Sequence, residues 1–173
     1  MSHSGAFELG AGTNFVILPS ADVAIVALTN ATPSGVPEAL TAQFADMVQF
    51  GEVREDWATL YGQAFAEMEK PVGSLVGQQP PAAAAPPAPL ASYAGTYRND
   101  YWGPATVSER HGHLELTLGL RGVFELQPWD GDVFTFSFVT GNAPPGTISK
   151  ATFDGGKLTL EYYDTFGKGV FVK

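Results

Sequence analysis

The three histidines are the side chains best able to bind a metal or carry a proton near neutral pH, and they fall in two places. His111 and His113 flank Gly112, with Glu109 and Glu115 just outside them. Alternate residues of a strand share a face, so the four could present nitrogen and oxygen ligands together. Zinc asks for three or four ligands, however, and no distant third ligand accompanies the two histidines, so the pair reads as a solvated hairpin tip. Asp130-Gly131-Asp132 sets two carboxylates around a glycine but lacks the further oxygens of a calcium loop, and reads as a turn. Neither a metal nor a cofactor is expected. His3 differs in kind. It lies in the stretch from Ser2 to Gly12, whose three glycines would let another chain or a ligand approach the backbone closely.

The scaffold that holds these residues is bounded by composition. With 173 residues, 45% of them hydrophobic, the chain can bury the core of one ordinary domain or of two small ones. A formal charge of -9 with no basic patch argues against nucleic acid or an anionic membrane as partner, since both would repel it. No apolar run approaches the ~18 residues of a membrane helix, so membrane insertion is not expected. The first residues carry neither the charged nor the apolar region of an export signal. There is no cysteine, hence no disulfide and no thiolate ligand, and composition points to no particular compartment.

The stretch 71–89, PVGSLVGQQPPAAAAPPAP, divides the chain, because repeated proline removes backbone donors and favours extended conformations. It reads as a linker. Residues 1–70 hold two basic and nine acidic side chains against seven and nine in residues 90–173, so the acidity lies mostly before it. In the first part, Phe15 to Leu18 and Val23 to Leu28 read as a buried hairpin closed by Thr29-Asn30, with Ser2 to Gly12 as a possible third strand. Pro37 and Glu38 suit a helix start and Gly51 its end, with Leu40, Phe44, Met47 and Val48 at helical spacing. In a second helix Trp57, Leu60, Tyr61, Ala64, Phe65 and Met68 form a wide apolar stripe, read as core packing.

After the linker, eight short strands are expected: Thr96 to Trp102, Thr106 to Glu109, Leu114 to Leu118, Val123 to Gln127, Val133 to Phe138, Ile148 to Phe153, Leu158 to Tyr163 and Gly169 to Val172. Turn residues separate them at His111-Gly112, Asp130-Gly131, Asn142 to Gly146 and Asp154 to Gly156. Alternation such as Leu114/Leu116/Leu118 fits an up-and-down barrel, which closes its own edges. The aromatic side chains of this half fill so small an interior rather than line a pocket.

His3-Ser4-Gly5, followed by Gly12-Thr13, FVILP and VAIVALTN, resembles the third motif block of the serine β-lactamase and penicillin-binding protein superfamily. There a strand with Lys-Thr-Gly or His-x-Gly lies beside the nucleophile, and two more strands and a C-terminal helix complete the sheet. The resemblance gives His3 and Gly5 the substrate-binding positions. In the second half YAGTYRNDYWG, HGHLEL, WDGDVFTF and GKGVF resemble the lipocalin-like domain that often follows these hydrolases. It implies an α+β chain: residues 1–70 a partial β-lactamase-like sheet with two helices, 71–89 a linker, and 90–173 an all-β lipocalin-like eight-stranded barrel.

The departures decide the expected function. The superfamily's nucleophile lies in Ser-x-x-Lys, and here the residues three before Lys70, Lys150, Lys157, Lys168 and Lys173 are Glu67, Thr147, Asp154, Thr165 and Val170. Tyr97-Arg98-Asn99 has the form of the second motif but falls in the barrel, and is read as coincidence. The chain alone is therefore expected not to be an enzyme. Its expected roles are oligomerisation or covering of an active site, with a second copy or the catalytic half as partner, and a parent of this kind would be periplasmic or secreted. A small-ligand-binding barrel, or membership of an active hydrolase whose catalytic half lies upstream, are the alternatives.

Overall fold

The computed structural model describes all 173 residues and resolves into two compact units: Met1–Lys70 with Val139–Pro145, and Pro71–Phe138 with Gly146–Lys173. The first is a three-stranded antiparallel sheet, ordered β1-β2-β3, with two helices. Strand β1 (Ser2–Phe7) turns at Glu8 to Gly10 into β2 (Ala11–Leu18), and Gly10 takes a φ of +97° that suits glycine. One 3-10 turn leads to β3 (Val23–Thr29), paired from Leu18↔Val23 to Gly12↔Thr29.

Helix α1 (Val36–Phe50) begins with Pro37 in its first turn and ends at Gly51, whose left-handed φ of +77° closes it. It packs on β2 and β3, but not chiefly through the apolar residues at helical spacing. Pro37, Glu38, Ala39, Thr41 and Asp46 are buried, while Leu40, Met47 and Val48 are exposed and Phe44 is half-buried. The physical reason is the surface beneath the helix. Ser4 donates to the Glu38 carboxylate, Asn14 Nδ2 donates to Thr41 Oγ1 (2.6 Å), and Thr41 in turn donates to the Glu38 carbonyl (3.1 Å), so polar groups on both sides satisfy one another.

Helix α2 (Trp57–Met68) is capped by Asp56, which accepts from the Thr59 amide (3.1 Å) and hydroxyl (2.7 Å). It is tied to α1 through Asp46, whose Oδ2 accepts from Trp57 Nε1 (2.7 Å) and the Arg54 amide (2.9 Å). Those two bonds hold the Asp46 carboxyl below its ordinary pKa. Trp57, Tyr61 and Phe65 are half-buried, but Leu60, Ala64 and Met68 of the same stripe remain exposed.

The second unit is a closed antiparallel barrel, in the order β10-β11-β4-β5-β6-β7-β8-β9. Its strands are β4 (Gly95–Asn99), β5 (Gly103–Arg110), β6 (His113–Thr117), β7 (Val123–Asp130), β8 (Val133–Ser137), β9 (Ile148–Asp154), β10 (Lys157–Leu160) and β11 (Val170–Val172). Sequence neighbours pair throughout and β11 closes on β4 through Val172↔Arg98. The eight expected strands are all present with shifted ends. That expected over Leu158 to Tyr163 stops at Leu160, where Glu161–Asp164 turn as a 3-10 helix.

Inward positions carry Tyr97, Ala105, Val107, Leu114, Leu116, Leu126, Phe134, Phe136, Leu158, Leu160 and Phe171, each at most 2% exposed, so side chains fill the interior. Phe134 meets Tyr93 edge-on at 5.2 Å between ring centroids and Phe153 at 5.6 Å.

Residues 71–89 are strapped to this barrel rather than left free. Val72 exchanges bonds with Thr147 Oγ1 (3.2 Å) and the Ile148 amide (3.0 Å), and Ala85 does the same with Asp130 Oδ1 (2.7 Å) and the Gly131 amide (2.9 Å). At Gly73, φ +128°, a Cβ would stand 1.8 Å from the Ile148 carbonyl oxygen, so the strap passes there only as glycine.

Candidate functional site

Strand β1 places His3 and Gly5 on one face of the three-stranded sheet, because residues two apart share a face and directly paired residues share it too. The register His3↔Phe15↔Val26, Gly5↔Thr13↔Leu28 and Ile17↔Ala24 therefore assembles His3, Gly5, Thr13, Phe15, Ile17, Val26 and Leu28 on the side away from α1. His3 stacks on Phe15 with centroids 6.3 Å apart and planes 12° from parallel. Thr13 Oγ1 donates to the Gly5 carbonyl at 3.3 Å. No element of the unit covers this face: Val26 is 65% and Leu28 74% exposed.

The edge beside His3 is open as well. Met1 and Ile17 exchange N–H···O bonds in both directions (3.0 and 2.8 Å), which fixes the alternation along the pair. His3, Gly5 and Phe7 consequently spend their backbone groups on β2. Ser2, Ser4 and Ala6 direct theirs to the free side, where β1 has no neighbouring strand. The site thus offers an imidazole, a side-chain-free backbone position and a row of unpaired backbone donors and acceptors. Ser4 is not part of it, since its hydroxyl points to the helix side and donates to Glu38. Glu38, legible in the sequence only as a helix-start charge, is a buried acceptor under the sheet.

The other sequence candidates serve the fold. His111 and Gly112 both take positive φ (51° and 83°) in the two-residue turn between β5 and β6. His113 lies 3.8 Å from Glu115, whose other oxygen is 3.1 Å from Arg110 Nε, and no group of three or more metal-ligating side chains forms there or elsewhere. Asp130 holds the strap at Ala85, and Asp132 accepts the Tyr93 hydroxyl, which itself accepts from the Ala88 amide (2.8 Å). Burial, and then Asp132, push the Tyr93 pKa up. Tyr97 and Asn99 lie on β4: the Tyr97 hydroxyl donates to the Tyr93 carbonyl (2.8 Å), and Asn99 donates to the carbonyls of Lys168 (2.7 Å) and Val170 (2.8 Å). That triplet is barrel architecture.

Comparisons with known proteins match part of the chain. Residues 79–162 match a family described as a domain of unknown function (DUF3471). A crystal structure of the C-terminal domain of penicillin binding protein Rv0907 is 54% identical over 58% of this chain and 100% of its own, with a TM-score of 0.53. A crystal structure of SurE with D-Leu aligns with 99% of this chain and 34% of its own at 21% identity, with a TM-score of 0.38. No curated protein matches.

Proposed function

The chain belongs to the family of C-terminal domains carried by penicillin-binding, β-lactamase-like proteins, and from that premise we propose that it is the non-catalytic C-terminal portion of such a serine hydrolase. On this reading residues 1–70 close the catalytic fold, 71–89 connect, and 90–173 form a lipocalin-like accessory barrel that acts in oligomerisation or in covering the active site.

The observation that carries the reading is the bare sheet face. A three-stranded sheet normally buries one face and solvates the other with polar side chains. Here the polar groups lie under the helix while Phe15, Ile17, Val26 and Leu28 face outward beside His3. Such a face fits the rest of a catalytic domain. The reaction would be acyl transfer, with the serine and its activating lysine supplied by that other part. His3 would meet the substrate's carboxylate or assist proton transfer, and Gly5 would leave room for substrate along the strand.

The test is hydrolysis of a chromogenic β-lactam and a chromogenic ester. The longer polypeptide, with an upstream Ser-x-x-Lys segment joined to this chain, is expected to turn over one of them and the isolated chain neither. Turnover by the isolated chain, or none by the longer polypeptide, would overturn the reading.

A further inference from the structure

The segment Val139–Pro145, which connects β8 to β9 in sequence, is part of the sheet unit. Its anchor lies on the open edge of β1. Ser2, Ser4, Ala6 and Glu8 are the positions whose backbone groups alternate toward that edge. The first three carry no partner strand, but the Glu8 amide donates to the Gly141 carbonyl at 2.9 Å. Gly141 therefore takes the rung that a ligand strand extending past Ala6 would need.

The segment is built to hold that position. Thr140 and Ala143 bond each other in both directions (3.4 and 3.3 Å), the Asn142 amide donates to Thr140 Oγ1 (3.3 Å), and Ala143 is fully buried. A Cβ at position 141 would stand 3.4 Å from the Phe7 ring, an ordinary van der Waals contact, so Gly141 sits directly against Phe7. Phe7 projects on the same face as His3 and Gly5 and is 55% exposed. Gly141 and Phe7 together make a wall at the end of the His3 strand.

We infer that Val139–Pro145 sets how far an extended substrate can run along β1, which makes Gly141 and Phe7 specificity-determining residues. This rests on the function proposed above. The ligand class is an extended peptide or acylated amino-acid chain, whose alternating N–H and C=O groups match the free rungs at Ser2, Ser4 and Ala6. At about 3.3 Å per residue, a chain opposite Gly5 has about 10 Å before it meets Gly141.

Two measurements test it. Amide exchange on this chain should show Glu8 at least tenfold slower than Ser4 and Ala6; equal rates would overturn the placement of the wall whatever the activity. In the longer polypeptide, substrates extended residue by residue toward Phe7 should show a length cut-off in kcat/KM. Phe7→Ala should raise the ratio for the longest against the shortest substrate about tenfold, and Gly141→Phe should lower it. An active polypeptide whose length profile is the same in wild type and both variants would overturn the inference alone. A polypeptide inactive on every substrate would overturn the proposed function, and the inference with it.

Discussion

The barrel and the sheet unit solve the problem of apolar surface in opposite ways. In the barrel the alternation of β4 to β11 sends one set of side chains into a filled interior, and closure of β11 on β4 leaves no free edge. The sheet unit has two free edges, one uncovered apolar face, and helices whose Leu40 and Met47 look outward. The barrel thus closes on itself, while the sheet unit leaves apolar surface uncovered. If the proposed catalytic part covers that surface, the chain alone is expected to self-associate through it.

Truncating matched apolar residues in the two units should expose this contrast most strongly. Phe134→Ala in the barrel, where the ring is fully buried, is expected to cost about 3–5 kcal/mol in denaturant unfolding. Leu28→Ala on the bare face should change stability by no more than about 0.5 kcal/mol, while reducing self-association in sedimentation. Equal losses at the two positions would break the comparison.

A smaller effect separates the units by pH. Asp46 ties α1 to Trp57 and the Arg54 amide, and its folded pKa lies below the ordinary 3.8. A depressed carboxyl contributes stability above its unfolded pKa and loses it as pH falls through the folded value. Asp46→Ala should therefore speed amide exchange in α1 at pH 7, and the difference from wild type should shrink as pH drops below about 3.8. The barrel defect of Phe134→Ala should show no such dependence.

Much of the barrel was legible because period-two alternation and turn chemistry act locally. Leu114, Leu116 and Leu118 alternate in sequence and all three are buried, and His111-Gly112 turns where its residue types permit positive φ. The helices were legible in position but not in orientation. Helical spacing shows that Leu40, Met47 and Val48 share a side, but not which side has a partner, and the polar pairs Ser4–Glu38 and Asn14–Thr41 link residues far apart in sequence. Proline content marked 71–89 as extended, whereas its docking depends on single long-range bonds at Val72 and Ala85. His3 and Gly5 could be named from their motif, but the Gly141 rung at Glu8 joins positions with no shared sequence signal.

The absence of cysteine allows a direct test of whether the bare sheet face is the surface that the proposed catalytic part covers. Val26→Cys places one thiol on that face, and Thr106→Cys, on the exposed outer face of β5, serves as the reference. Thiol labelling rates would be compared in the dilute isolated chain and in the longer polypeptide. The account predicts that both thiols label readily in the isolated chain, and that Val26→Cys alone becomes at least tenfold slower in the longer polypeptide. Unchanged labelling of Val26→Cys there would contradict it.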